Sequence, residues 1–380
     1  MDPTTRTASP PEEGRETLTL SQYLEWEEFR VHNPHTNLSL ESGDAAWGPL
    51  REILAGAPLS MIDPSILGRI TSERWLVDRS ADLSTRYHLR LVSLETVTTC
   101  NQKCYFCPVS IAPREDVEMP PALFDRILDQ LTAYRSTLEG VFLQSYNEPT
   151  IDRRFVPQCH QLLDAQLPVA ILTNASGLTP KRVDEILTRG KLRYIAVNLS
   201  TLDRARYAAD RGADHLVNVL RNVDYLSKNP IATEMRIVVL GQGDDTHRSD
   251  FDAIRERYDG TPFAVTFHTV MDRAGYLDLG AKPAAPHVRL RGCDNIGSRP
   301  IQHLHITPAG LCVLCCQDYD ENYVVGDLSR SSIDEVMSGP EMARMRRWAY
   351  GIEEAPDNFI CRNCVFAKSE PIVGRTPASE

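Results

Sequence analysis

The chain reads as an α/β protein, a partial (β/α)6, TIM-like barrel with a small cysteine-rich C-terminal extension and an N-terminal accessory segment. Three observations carry this. Six short apolar runs alternate with amphipathic patterns between Leu91 and Phe267. A helical pattern follows each of the first five, the order that builds a parallel sheet covered by helices. Six of the ten cysteines fall between Cys293 and Cys364. A flat doubly wound sheet is the alternative that periodicity leaves open, and in either arrangement functional groups gather at the C-terminal ends of the strands.

The N-terminal 15 residues are expected to be a disordered tail, and Met1 to Thr7 lacks the apolar core of a signal peptide or anchor. Residues 16–90 form the accessory segment. Leu50, Ile53 and Leu54, then Ile66, Leu67 and Ile70, mark two short helical patterns, closed by Trp75-Leu76-Val77-Asp78.

The barrel is expected over 91–285. Its first strand is Leu91 to Val97. Leu123, Ile127, Leu128 and Leu131 then recur at helical spacing within Pro121 to Thr137, opened by proline. Gly140 to Tyr146 reads as a buried strand, Phe155 to Leu163 as a helix and Val169 to Thr173 as a strand. Thr179-Pro180 supplies an N-cap and first-turn proline for a helix ending near Gly190. Tyr194 to Leu199 (strand), His215 to Ser227 (helix), Met235 to Leu240 (strand), His247 to Tyr258 (helix) and Phe263 to Phe267 (strand) complete the series. The extension covers 286–369, with a helix over Ser331 to Trp348, and 370–380 is a second tail.

Lys plus Arg number 41 against 52 Asp plus Glu, a formal net charge of −11. That balance argues against broad nucleic-acid or anionic-membrane binding. No run approaches the ~18–20 apolar residues of a spanning helix. A cytoplasmic protein is expected, and ten cysteines in a reducing compartment read as metal ligands rather than disulfides.

The chemistry centres on Thr99-Cys100-Asn101-Gln102-Lys103-Cys104-Tyr105-Phe106-Cys107-Pro108, directly after the first strand. Three thiolates on one short loop hold three irons of a cubane cluster and leave the fourth open. The spacing differs from that of a closed ferredoxin cluster and of a zinc knuckle. With Phe106 before the third cysteine, it resembles the radical S-adenosylmethionine (SAM) superfamily. That resemblance implies SAM at the open iron, one-electron cleavage to a 5'-deoxyadenosyl radical, and hydrogen abstraction from a substrate oriented by the barrel.

Further positions take roles from the same resemblance. Tyr146-Asn147-Glu148-Pro149 is similar to the family's GGEP motif with both glycines replaced, which assigns Asn147 and Glu148 to the SAM amino group. Asn174, Asn198 and Ser200, at strand ends, correspond to contacts with the ribose and carboxylate. Arg236 is a candidate for a charge-assisted bond to that carboxylate.

Cys293, the run Gly310-Leu311-Cys312-Val313-Leu314-Cys315-Cys316 and Cys361-Arg362-Asn363-Cys364 resemble the auxiliary-cluster extension called SPASM, or its shorter form, twitch. No cysteine follows Cys364, so a single auxiliary 4Fe-4S cluster is expected, on Cys293, Cys315, Cys361 and Cys364. Which of Cys312, Cys315 and Cys316 is the ligand stays open. A leftover thiol, Cys312 or Cys316, is a candidate hydrogen donor for an epimerase, whereas Asp318 occupies the place of a general base in dehydrogenating relatives.

The substrate expected from this resemblance is a sugar or aminocyclitol of a natural-product pathway undergoing dehydrogenation or epimerisation. A ribosomally made peptide, epimerised or cross-linked, is the alternative. A reducing partner such as flavodoxin or ferredoxin is implied. A non-catalytic iron–sulfur electron carrier or zinc scaffold is the reading from a different class.

Overall fold

The computed structural model describes residues 17–369; the tails expected at 1–15 and 370–380 lie outside them. The N-terminal part contains five short strands, β1 (Leu18–Leu20), β2 (Glu25–Trp26), β3 (Arg30–Asn33), β4 (Leu38–Glu41) and β5 (Leu76–Asp78). β2, β3 and β4 form an antiparallel sheet, and β1 pairs with β5. Between them lie helices Trp47–Leu54 and Pro64–Ser72. The second starts where Asp63 accepts from the Ser65 and Ile66 amides, with Pro64 in the first turn. Leu50, Leu67, Ile70 and Trp75 bury their side chains in a cluster of their own. The two helices were legible as patterns, whereas strands of two to four residues are too short to show a period.

The central strands are β6 (Leu91–Leu94), β7 (Gly140–Phe142), β8 (Val169–Thr173), β9 (Leu192–Asn198), β10 (Ala232–Gly241) and β11 (Phe263–Thr269). All five contacts between them are parallel, and their order in the sheet is their order in the chain. A doubly wound sheet reverses direction at a switch point; this one does not. Alternation sorts the side chains: Val141, Ile171, Ile195, Val197, Ile237 and Val239 are fully buried in the main core, while Phe142, Leu172, Asn198 and Leu240 line a cavity on the opposite side.

β7 stops at Phe142 rather than Tyr146, because the following residues leave the ladder to wall the cavity. There the Tyr146 amide donates to Glu95 Oε1 at 3.0 Å and the Glu148 amide to the Thr99 carbonyl at 3.0 Å.

The extension continues the same sheet. β12 (His303–Ile306) lies parallel beside β6, on the side opposite β7, and turns back through β13 (Leu311–Val313) to β14 (Val324–Asp327), giving nine strands in all. The helix expected over Ser331 to Trp348 is two, Ile333–Met337 and Pro340–Ala349. Pro340 lacks the amide a continuous helix would need, and the first segment opens with a Ser332–Glu335 capping box. Glu25 of β2 ties the N-terminal part to the extension through Tyr350 at 2.5 Å and the Cys293 amide at 3.5 Å.

Candidate active site

The loop after β6 brings Cys100, Cys104 and Cys107 to the mouth of a cavity of about 350 Å³ at the C-terminal ends of the strands. That volume lies within the range of small-molecule sites. The loop is held by backbone bonds from Lys103 and Tyr105 to the Arg211 and Asp210 carbonyls, 2.8 and 3.1 Å. Those carbonyls end helix Arg204–Arg211, closed by Gly212 in the left-handed conformation at φ 63°. A side chain at Gly212 would also crowd Lys103, with a Cβ–Cβ distance of 3.1 Å.

Burial pushes the Cys100 thiol up to about 12 and raises that of Cys107 as well. Thiols buried together are costly to ionise without a cation, and suit a soft metal that displaces their protons.

Arg211 is the nearest fixed charge. Its Nη1 lies 3.6 Å from Cys104 Sγ, its guanidinium stands over the Phe106 ring at 4.9 Å, and Nη2 donates to Asn198 Oδ1 at 2.8 Å and to the Ser200 hydroxyl. Arg236, the cation expected here, does not line the cavity. Its guanidinium bonds to Glu234 at 2.7 Å and lies over Tyr194. The reason is register: Arg236 precedes the cavity residue Leu240 by four positions, roughly 13 Å along a strand.

Asn147, Glu148, Asn174 and Asn198 line the cavity; Ser200 reaches it through Arg211. The Glu148 carboxylate accepts from the Thr150 amide (3.0 Å) and hydroxyl (2.5 Å), the Thr173 hydroxyl (2.6 Å) and the Asn174 amide (2.6 Å). It thereby fastens the loop after β7 to the end of β8, and burial raises its pKa despite these donors. Asn174 in turn donates to Asn101 of the cysteine loop at 3.0 Å.

A second group of thiols forms at the extension. Cys293, Cys315, Cys361 and Cys364 are all buried deeply enough to raise their pKa; Cys293, Cys315 and Cys361 each feel the charge of Cys364, and Cys364 that of Cys316. Cys293 is fixed by a bridge to Ala367, and the Cys364 amide donates to the Cys361 carbonyl at 3.3 Å. Among the described residues neither thiol group converges on a point that a single metal ion would occupy.

Of the three neighbouring cysteines, Cys312 stands apart, while Cys316 neighbours both Cys315 and Cys364. Cys312 sits within β13, fully buried, and its charged neighbour is Asp327 rather than another thiol. Cys315 neighbours Cys361 and Cys364. Cys316 lines the main cavity, where Asn295 Nδ2 approaches its sulfur at 3.8 Å.

Asp318 is absent from the lining of that cavity. Its carboxylate oxygens accept from the Asn322 and Tyr323 amides at 2.9 and 2.8 Å, the work of a turn-former, and burial raises its pKa.

Sequence reasoning missed several cavity residues. Arg273, Arg299, His303, His305 and Gln144 all line it. Arg273 and Ala274 both take left-handed backbone angles, φ 58° and 59°, so that the chain after β11 doubles back.

One group of thiols at the C-terminal ends of a singly wound parallel sheet, and a second on its extension, suit an iron–sulfur enzyme of the barrel class. Residues 94–254 match the radical SAM superfamily, and residues 293–365 match SPASM, an iron–sulfur cluster-binding domain. The chain carries a radical SAM domain and a C-terminal SPASM-type iron–sulfur domain; its cofactors are SAM and two 4Fe-4S clusters.

The S-adenosyl-L-methionine-dependent 2-deoxy-scyllo-inosamine dehydrogenase of Niallia circulans is 28% identical over 279 residues, 72% of this chain and 92% of that protein. The fold is similar to that of Streptococcus suis SuiB bound to the precursor peptide SuiA, with a TM-score of 0.58, 14% identity, and coverage of 91% of this chain and 93% of that one. It is also similar to anSMEcpe with bound AdoMet, at a TM-score of 0.51, 12% identity, and coverage of 70% and 85%. Among the described residues no helix is long and apolar enough to cross a membrane.

Proposed function

We propose that this enzyme epimerises a carbon centre of a hydroxylated natural-product substrate, a sugar or cyclitol, with Cys316 as the hydrogen donor. The observation that carries this reading is the placement of Cys316 in the cavity that holds the three loop cysteines, while Cys312 is packed in the core and Asp318 is occupied by two amides.

When bound, SAM and the reduced loop cluster supply an organic radical that removes one hydrogen atom from carbon. The loop holds its irons through Cys100, Cys104 and Cys107, and Asn147, Glu148, Asn174 and Asn198 shape the adjoining wall. Cys316 gives a hydrogen atom to the opposite face: its S–H bond breaks as the new C–H bond forms. The sulfur then regains one electron and one proton, the electron from a flavodoxin- or ferredoxin-like reductant and the proton from solvent. Cys293, Cys315, Cys361 and Cys364 are the residues that would hold the auxiliary cluster, and Cys316 neighbours Cys315 and Cys364.

The test is turnover of candidate sugars and cyclitols in deuterated water. A one-dalton gain at carbon supports epimerisation; a two-dalton loss overturns it in favour of dehydrogenation, the activity named for the Niallia circulans relative. A peptide substrate is the second reading. It is favoured by the N-terminal part with its separate core, together with a fold likeness to the peptide-bound SuiB that extends over 91% of the chain.

A further inference from the structure

We propose that the substrate carries an oxyanion, a carboxylate or a phosphate, and that Arg299 receives it on the wall that β12 adds to the barrel. The inference rests on the reading of this cavity as the substrate site.

Arg299 lines the cavity and is only 7% exposed. Its guanidinium donates to His303 Nδ1, to His305 Nε2 at 3.5 Å and to Asn295 Oδ1 at 3.1 Å. Its Nε is enclosed with no partner. Burial keeps both histidines neutral, pushing them well below the usual imidazole range. Every side chain that the guanidinium bonds to is therefore uncharged, a costly arrangement for a buried cation.

Elsewhere the fold supplies such counter-ions itself. Arg114 meets Glu95 at 2.5 Å and Arg154 meets Asp152 at 3.0 Å. In the cavity the balance is reversed, with Arg211, Arg273 and Arg299 facing one carboxylate, Glu148, already bonded by four donors. Arg211 lies on Cys104, and Arg273 lies among Cys107, Cys316 and Cys364. All three have an enclosed, unpaired Nε, and the charge of Arg299 also reaches Cys293; what sets Arg299 apart is that the side chains its guanidinium bonds to, His303, His305 and Asn295, are all uncharged.

The neighbours complete a recognition surface. His305 Nδ1 is buried without a partner and its ring stacks on His303 at 4.0 Å, which fixes both imidazoles. Gln144 Oε1 and Gln317 Oε1 are likewise enclosed and unpaired, two acceptors suited to O–H or N–H donors. A guanidinium fork for the anion and amide acceptors for hydroxyls describe a sugar acid or sugar phosphate better than a cationic aminocyclitol.

The charge of Arg299 also reaches Cys293, so the experiment must separate substrate binding from service to the auxiliary cluster. Reconstituted, SAM-loaded enzyme is titrated by calorimetry with acetate and with inorganic phosphate. One saturable site is expected, weakened at least tenfold in Arg299→Gln. It is weakened similarly in Asn295→Asp, which leaves the arginine in place and puts a carboxylate against it. Stronger acetate binding identifies a carboxylate, and stronger phosphate binding a phosphate ester. Absence of saturable binding, or binding unchanged in both variants, overturns the proposal. So does unchanged binding in Arg299→Gln with a shifted auxiliary-cluster potential, or loss of binding in Arg273→Gln alone. Cys316→Ala is expected to retain the anion site while losing deuterium incorporation, so failure of the epimerase reading is distinguishable from failure of this one.

Discussion

Arg211 holds its Nη1 3.6 Å from the sulfur of Cys104 while the same guanidinium covers Phe106. A fixed positive charge this close favours added electrons on the irons bound there. Arg211→Gln should make the potential of the loop cluster more negative, on the order of tens of millivolts, as read by a redox titration monitored by electron paramagnetic resonance. Arg211→Lys should restore part of the shift.

The three clustered cysteines should give three different phenotypes. With about eight irons per reconstituted chain, Cys315→Ser is expected to fall toward about four. Cys312→Ser should keep its iron but lose roughly 1–3 kcal/mol of stability, because a hydroxyl replaces a fully buried thiol. Cys316→Ser should keep its iron and still form 5'-deoxyadenosine, yet incorporate no deuterium into substrate.

Gly177 carries no side chain because there is no room for one. A Cβ there would lie 2.3 Å from the Thr150 carbonyl oxygen and 2.7 Å from its carbon, both backbone atoms. Gly177→Ala should therefore displace the Glu148–Thr150 segment, costing about 1–3 kcal/mol, with SAM affinity falling together with the melting temperature.

Glu25 makes stability depend on pH. Burial raises its pKa to about 7 from an ordinary 4.5, and Tyr350 and Lys368 offset only part of that. The folded protein thus binds a proton that the unfolded chain releases between those values. This contribution is complete below pH 4.5 and is lost as pH rises through 7. Glu25→Gln should be more stable than wild type at pH 8, by a few kcal/mol at most, and the gap should close below pH 5 in urea melts.

The barrel was legible because its strands are short apolar runs with a buried core side and its helices carry strong apolar stripes, as at Val183 and Ile186 or Val219 and Val223. Helix Arg204–Arg211 was not. Its run Arg-Ala-Arg-Tyr-Ala-Ala-Asp-Arg offers Tyr207 as its one large apolar residue, so no period shows, and with it Arg211 went unseen. β12 was hidden for a related reason. Its inward positions are His303 and His305, polar residues that break the apolar alternation while serving the cavity. The first thiol group was legible from its spacing and the second through its resemblance to SPASM, whereas the division of labour among Cys312, Cys315 and Cys316 depends on how β13 ends, which no local pattern encodes.

β6 leads into the first cysteine loop and β12, through its hairpin, into the second, and the two strands are parallel neighbours in one ladder. Adjacent strands stand about 4.8 Å apart. Cys315 is therefore joined to the loop of Cys100 to Cys107 through backbone hydrogen bonding within one sheet. Breaking the β6–β12 ladder should separate the two thiol groups and open the barrel in one step.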